Sequence, residues 1–308
     1  MSTIAIIGSG FSGLSAAAYL SKAGHNVHLF EKNETAGGRA RQLKTTDGYV
    51  FDMGPSWYWM PDVFEKFFND FGCKVSDLYD LKILNPSFDV VFGENDTMSV
   101  PENFDQLCDL FETIEVGSAL QLKKFMNEAK YKYTTGIENL VYKPGLSISE
   151  FADINLIKGA IRLQVFSSFS KHVRKYFSHP KLIALMEFPV LFLGAMPQDT
   201  PALYSLMNYA GLKLGTWYPI GGFGKVIDAM VKISENNGTT FHFKTPVEKI
   251  NIVNNKAKSI VINGEIFECD AIIASADYHH VESKLLEPQY RNYDENDGSI
   301  KTPKILLF

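Results

Sequence analysis

The chain opens with TIAIIG (3–8), an unbroken apolar run closed by glycine, which is the pattern of a strand buried on both faces of a parallel sheet. FSGLSAAAYLSKAG (11–24) then has the alanine-rich spacing of a helix ending at Gly24, and NVHLFEK (26–32) is a second strand. Residues 3–32 therefore predict one βαβ unit. ARQLKTTDGYVFD (40–52) alternates on either side of TTDG as a hairpin does. PDVFEKFFNDFG (61–72) places Val63, Phe64, Phe67, Phe68 and Phe71 on one helical face, with Pro61 and Asp62 near its start and Gly72 at its end. From about residue 81, two strand-like runs flank a GEND turn between Phe92 and Thr97, and 103–135 predicts helix. The stretch 155–215 is the most apolar and least regular, broken by Pro180, Pro189, Pro197 and Pro201. YPIGGFGKVIDAMVKISENNG (218–238) predicts a turn and an amphipathic helix. Short strands follow, with turns at VNNK and NG, and end in the buried run CDAIIASAD (269–277).

This order predicts an α/β nucleotide-binding fold in two pieces, 1–75 and 216–280, interrupted by an α+β domain at 76–215 that faces substrate or membrane. Residues 281–308 would return into the inserted domain. KTPKILLF stops inside a strand-like run, so the pattern is that of a chain continuing beyond Phe308. The length of 308 residues with 45% apolar content fits two domains. A formal net charge of −5 provides no general basic field and argues against nucleic acid as a partner. Cys73, Cys108 and Cys269 lie far apart, without the spacing of a zinc site, and fit a reducing cytoplasmic setting; no metal is expected. The N-terminus lacks the basic start and cleavage site of a signal peptide. The longest apolar run, LIALMEFPVLFLGAM (182–196), is too short to span a membrane and contains Glu187 and Pro189.

Gly8-Ser9-Gly10-Phe11-Ser12-Gly13 matches G-x-G-x-x-G between a strand and a helix, and the acidic Glu31 ends the second strand 18 residues beyond Gly13. Gly8 permits the tight turn, Gly10 admits a pyrophosphate to the helix N-terminus, and Gly13 lets helix and strand pack closely. Glu31 is placed to accept hydrogen bonds from an adenosine ribose, which NAD, FAD and S-adenosylmethionine all carry. AGGRA (36–40) discriminates among them, because a glycine pair and an arginine just after the ribose-binding acid form a flavoprotein pattern. Gly37 and Gly38 allow close backbone approach, and Arg39 brings fixed positive charge to a phosphate or a flavin. A plain turn with a solvated Arg39 is the bland alternative.

These stretches, together with DMGPSWYW, YPIGGFGKVIDAM, TPVEKI and ASADYHHVESKLL, resemble the bacterial phytoene-desaturase type of carotenoid desaturase, within the amine-oxidase-like flavoproteins, from residue 3 to about 290. The resemblance implies a glutathione-reductase-like, Rossmann-type FAD domain. It implies FAD contacts at Gly8, Gly10, Ser12, Gly13, Glu31, Lys32, Gly38, Arg39, Gly54, Pro55 and Ser56, with the Val247 backbone at the adenine. It also puts the turn at Pro219, Gly221 and Gly222 near a domain junction where substrate sits. The family continues to a second glycine-rich flavin segment that these residues do not contain.

The expected activity is FAD-dependent desaturation of phytoene or a hydroxylated acyclic carotene. Hydride goes to the flavin, a proton is lost to an unassigned base, and electrons pass on to quinone or oxygen. No nucleophile arrangement stands out. Alternatives are a carotenoid isomerase, a flavin amine oxidase, a nicotinamide dehydrogenase, or a flavin-free isoprenoid-binding protein of the same fold. Trp57, Tyr58 and Trp59 could line a tunnel for a polyene or fill a core. Lys171, His172, Arg174, Lys175, His179 and Lys181 form a basic stretch beside the apolar run, so peripheral membrane docking stands beside a solvated helix face. His279 and His280 are expected to begin a surface helix rather than bind metal.

Overall fold

The computed structural model describes residues 1–142 and 163–292. The strand-like ending at 301–308 and residues 155–162 of the irregular stretch lie outside the described residues. In chain order the elements are β1 (Thr3–Ile7), α1 (Phe11–Lys22), β2 (Asn26–Phe30), β3 (Gln42–Lys44), β4 (Val50–Asp52), α2 (Pro61–Asp70), β5 (Leu81–Ile83), β6 (Phe88–Gly93), β7 (Asp96–Val100), α3 (Phe104–Ile114) and α4 (Ser118–Thr134). After these come α5 (Phe169–Val173), α6 (Pro180–Glu187), α7 (Leu206–Leu212), β8 (Trp217–Pro219), α8 (Gly224–Asn236), β9 (Thr240–His242), β10 (Val247–Val253), β11 (Lys256–Ile262), β12 (Glu265–Glu268) and β13 (Ala271–Ala274). The predicted helix at 103–135 is two helices, because Glu115–Gly117 break it and Gly117 takes a φ of 86°.

Two compact units share the chain. Unit one comprises Met1–Ser56, Phe67–Leu81 and the chain from Pro219; unit two comprises Trp57–Lys66 and Lys82–Tyr218.

Unit one is built on a four-stranded parallel sheet in the order β13-β1-β2-β9. Its central strands are buried on both faces, so β1 and β2 read as apolar runs rather than alternating ones. Helix α1 packs its small residues Ala17 and Ala18 inward, and the Ser234 hydroxyl on α8 reaches the Leu14 carbonyl at 3.3 Å. The β10-β11-β12 meander turns through Asn254-Asn255 and Asn263-Gly264, all at positive φ, as two-residue hairpins require. Its apolar face joins Phe30, Ile7 and Ile272 in one core.

Unit two packs α3, α4, α5 and α6 around Leu107, Phe111, Leu122, Phe125, Phe169 and Phe177, with the β6–β7 hairpin supplying Met98 and Val100. Lys132 lies fully buried in this unit. Its ammonium donates to the Ala202 carbonyl and the Ser205 hydroxyl at 3.0 Å each and to Gln164 at 3.2 Å, and lies 3.4 Å from His172 Nε2. Burial pushes its pKa down to about 8. His172 therefore does not belong to the basic surface stretch read from the sequence: it is buried, and burial with the Lys132 and Lys175 charges pushes its pKa down to about 3. The α5 periodicity turns its ring inward against Phe125, at 5.2 Å between centroids. Arg174 pairs with Glu187 and Lys181 with Asp96, which neutralises two more members of that stretch. Among the described residues, no helix is long and apolar enough to cross a membrane.

Candidate functional site

The glycines of the first loop divide into two kinds. Gly8 leaves β1 at a φ of 98° and donates its N–H to the Phe30 carbonyl at 2.8 Å; Gly13 packs directly on it, since a Cβ at Gly13 would lie 2.0 Å from the Gly8 carbonyl oxygen. Both serve the fold. Gly10 is different: it is the N-cap of α1 at an ordinary φ of −71°, and a Cβ there would meet nothing within 4 Å. No side chain caps α1, and its first turn carries no acid. The first-turn N–H groups thus face an open approach with the positive end of the helix dipole behind them, an arrangement suited to a pyrophosphate. In that turn the Ser12 hydroxyl shares a 2.6 Å hydrogen bond with Ser275, which follows β13.

Glu31 continues directly from β2 and is nearly buried. Its Oε2 accepts from the Ser9 N–H at 3.0 Å and the Ser9 hydroxyl at 2.6 Å. Its Oε1 accepts from the Asn33 N–H at 3.0 Å and from the Asn33 amide. Burial alone would raise the carboxyl pKa, but these donors outweigh it and hold the group below the ordinary carboxylate range. The acid is thus kept ionised and aimed, and a ribose hydroxyl would share it with Ser9 and Asn33. The sequence reading missed both of these partners, although Ser9 is the variable position inside the glycine motif.

AGGRA folds against the first loop itself. The Gly37 N–H donates to the Ser9 carbonyl at 2.8 Å; Gly37 and Gly38 both take positive φ, and a Cβ on Gly38 would lie 3.1 Å from Gly10 Cα. The glycine pair is therefore required by protein backbone, with Gly38 seated on Gly10. Arg39 next to it is exposed, with no hydrogen bond or ion pair to a described residue. Gly54 packs on Arg39, where a Cβ would lie 2.1 Å from the Arg39 carbonyl oxygen, and Gly54, Pro55 and Ser56 are exposed, as is Lys32. Segment 244–247 runs beside Glu31: the Thr245 N–H donates to the Glu31 carbonyl at 2.9 Å and the Lys244 N–H to the Asn33 carbonyl at 3.0 Å, two residues before Val247 opens β10. The structure therefore gathers Gly8, Gly10, Ser12, Gly13, Glu31, Gly38, Arg39, Gly54 and the approach to Val247 in unit one. An uncapped helix end, an open Gly10, an ionised acid and an exposed arginine fit the phosphate and ribose parts of a dinucleotide.

The turn at Pro219–Gly224 has a structural reason of its own. Gln42 on β3 donates to the Gly221 carbonyl at 2.8 Å and to Asp52 on β4 at 2.9 Å, and Asp52 accepts the Phe223 N–H at 3.0 Å. A Cβ on Gly222 or Gly224 would fall within 2.3 Å of Gln42.

In unit two the three consecutive aromatics divide. Tyr58 is fully buried and stacks on Phe64 at 4.4 Å, so it is a core residue. Trp57 and Trp59 are half-buried on the other side, 5.6 Å apart; Trp57 stacks on Phe88 at 4.8 Å and lies 5.6 Å from Phe188. Trp59 is held in place by a 2.9 Å hydrogen bond from its indole N–H to the Thr216 hydroxyl and by Gly211, where a Cβ would come 2.6 Å from the ring. Trp59, Phe88, Phe188, Leu185 and Asn208 line an apolar pocket.

The chain is 38% identical over 300 residues to the carotenoid 3,4-desaturase of Haloarcula japonica, covering 97% of this chain and 60% of that protein. It is 29% identical over 287 residues to the zeta-carotene-forming phytoene desaturase of Myxococcus xanthus, covering 93% and 55%. The chain thus spans somewhat more than half the length of these relatives. A solved structure of putrescine oxidase bound to putrescine shares the fold at a TM-score of 0.61 and 15% identity, covering 92% of this chain and 60% of that one. Residues 11–298 match the sequence profile of the flavin containing amine oxidoreductases, and the chain belongs to that family.

Proposed function

We propose that the protein is an FAD-dependent desaturase that introduces a carbon–carbon double bond into an acyclic carotenoid, phytoene or a hydroxylated acyclic carotene. The observation that carries the cofactor reading is the uncapped N-terminus of α1 with Gly10 open in front of it. The relatives named as carotenoid desaturases support the substrate class. Unit one would hold FAD: the first-turn N–H groups of α1 and the Arg39 guanidinium take the pyrophosphate, and Glu31 takes the ribose. Lys32, Ser12, Gly38, Gly54, Pro55, Ser56 and the Val247 backbone complete the proposed contact set. When bound, FAD supplies the hydride acceptor that desaturation needs. The half-buried cluster of Trp57, Trp59, Phe88 and Phe188 supports an apolar substrate.

The test is an absorption spectrum of the purified protein, followed by incubation with a panel of acyclic carotenes and chromatography. Flavin bands and products that each lack two hydrogens are expected. A colourless protein that refuses added FAD overturns the reading, and rearranged products of unchanged mass point to an isomerase.

Exposed Leu191, Phe192, Leu193 and Met196 support a second element, docking of unit two on a lipid surface through apolar side chains rather than through the basic stretch. Co-sedimentation with phosphatidylcholine vesicles tests it. Phe192→Ser should reduce binding several-fold, and absence of binding by the unaltered protein refutes it.

A further inference from the structure

The acid that would hold the ribose is already saturated by its own protein. An ionised carboxylate offers about four acceptor positions. Glu31 receives four donors: the Ser9 N–H at 3.0 Å and the Ser9 hydroxyl at 2.6 Å on Oε2, and the Asn33 N–H at 3.0 Å and the Asn33 side-chain amide on Oε1. A ribose hydroxyl that donates to Glu31 must therefore take the place of one of them.

Three of these donors are fixed. The Ser9 N–H belongs to the loop between β1 and α1. The Ser9 hydroxyl is 0% exposed, so turning it from Glu31 would leave a donor unpaired in the interior, which is strongly unfavourable. The Asn33 N–H is held because the carbonyl of the same residue accepts the Lys244 N–H at 3.0 Å, next to the bond from the Thr245 N–H to the Glu31 carbonyl. The Asn33 side chain differs from all three. It is half-buried and rotates about its own bonds, and among the described residues its amide has no partner besides Glu31. Turned outward, that amide meets water, so its departure orphans no buried group.

We propose that the Asn33 side-chain amide is an internal stand-in for a ribose hydroxyl: it occupies Glu31 Oε1 in the free protein and leaves when the adenosine ribose binds, while the Asn33 N–H and both Ser9 donors stay. This rests on the FAD reading above and deepens it. The form with the amide turned away is only a fraction of the free protein, and the apparent nucleotide affinity is lowered by that fraction. In the absence of nucleotide the same amide makes a charge-assisted hydrogen bond that stabilises the free protein and keeps the carboxylate aimed. The Asn33 side chain is thus a brake on nucleotide binding rather than a contact for it.

Flavin-free protein, unaltered and Asn33→Ala, is titrated by calorimetry with FAD, with ADP and with the dideoxy analogue of ADP that lacks both ribose hydroxyls. Asn33→Ala should bind FAD and ADP about three- to tenfold more tightly. The dideoxy analogue has no hydroxyl to donate, leaves the amide in place, and should bind both proteins alike. The thermal midpoint of the free protein should fall in Asn33→Ala, and that of the FAD-loaded protein should not. Unchanged or weaker FAD affinity in Asn33→Ala overturns the inference and leaves the FAD reading standing, as does an equal gain for ADP and its dideoxy analogue. A structure of the unaltered protein with FAD decides the same point without a variant: a ribose hydroxyl should stand where the Asn33 amide was, and an amide still on Oε1 beside the bound ribose overturns the inference. Absence of FAD and ADP binding by both proteins overturns the FAD reading and the inference with it.

Discussion

The glycine-rich loop of unit one and the aromatic pocket of unit two are made in opposite ways. Around Gly10 the working surface is backbone: helix N–H groups, a carbonyl-lined turn, and glycines that let one chain segment lie on another. Around Asn208 the surface is side chain, brought from residues 59, 88, 188 and 208 by the packing of four separate segments. Glu31 shows the same contrast in charge. Four local donors within two residues of it or on the adjacent loop keep it ionised, whereas Asn208 Oδ1 is left without any. A polar group satisfied by its own protein is held in place and in its charge state, whereas Asn208 Oδ1 is buried at the cost of an unmade hydrogen bond.

The contrast can be broken most severely at Gly13. In Gly13→Ala the new methyl would collide with the Gly8 carbonyl at 2.0 Å, and backbone cannot swing aside, so a loss of about 3 kcal/mol or more in stability is expected from urea denaturation. A variant with an unchanged midpoint would show that this glycine is not architectural.

Acid separates the two units next. His172 must stay neutral in the fold, with a pKa of about 3 against an ordinary 6.5, so an unfolded chain binds a proton that the folded one refuses, and unit two loses stability as pH falls from about 6.5 toward 3. The Glu31 pKa is lowered, so its contribution to unit one is complete above about 4.5 and is lost as pH falls below that. Tryptophan emission, which reports on unit two alone, should therefore change at a higher pH than FAD affinity does, and His172→Gln should remove most of that difference. Coincident transitions would mean that the two units do not unfold separately.

Glu31→Gln is expected to cost about 1.5–3 kcal/mol, because the new amide turns its own N–H groups toward the donors of Ser9 or Asn33. Its thermal midpoint and FAD affinity should fall together. Gly211→Ala puts a methyl 2.6 Å from the Trp59 ring; the indole can tilt, so about 1–2 kcal/mol is lost and tryptophan emission shifts to the red. Gly10→Ala has the smallest effect on the fold, within about 0.5 kcal/mol, because nothing lies near the added carbon and φ is ordinary. Its FAD affinity should nevertheless fall at least tenfold. A thermal shift comparable to that of Gly13→Ala would abolish the distinction between the two glycines.

Much of unit one was legible because its chemistry is local. The buried strands β1 and β2, the helix between them, the hairpin turns at Asn254-Asn255 and Asn263-Gly264, and the acid at Glu31 each depend on residues within a few positions of one another. In AGGRA the glycine pair also seats against Gly10, nearly thirty residues away, a contact that only the folded chain reveals. The basic stretch at 171–181 was misjudged for the same reason. Residue types alone do not say that His172 turns inward to Lys132, or that Arg174 and Lys181 find Glu187 and Asp96.

The sequence by itself determined a βαβ unit with a glycine-rich loop and the acid beside it, because backbone conformation and strand or helix periodicity are short-range properties. Only the tertiary structure decided that Trp59 stands against Gly211 with its N–H on Thr216, and that Asn208 is buried with one oxygen unpaired. Those facts depend on which side chains meet across elements far apart in the chain, and on which polar atoms find no partner once packing is complete. Such pairings carry no periodicity, so they become visible only when the chain has folded.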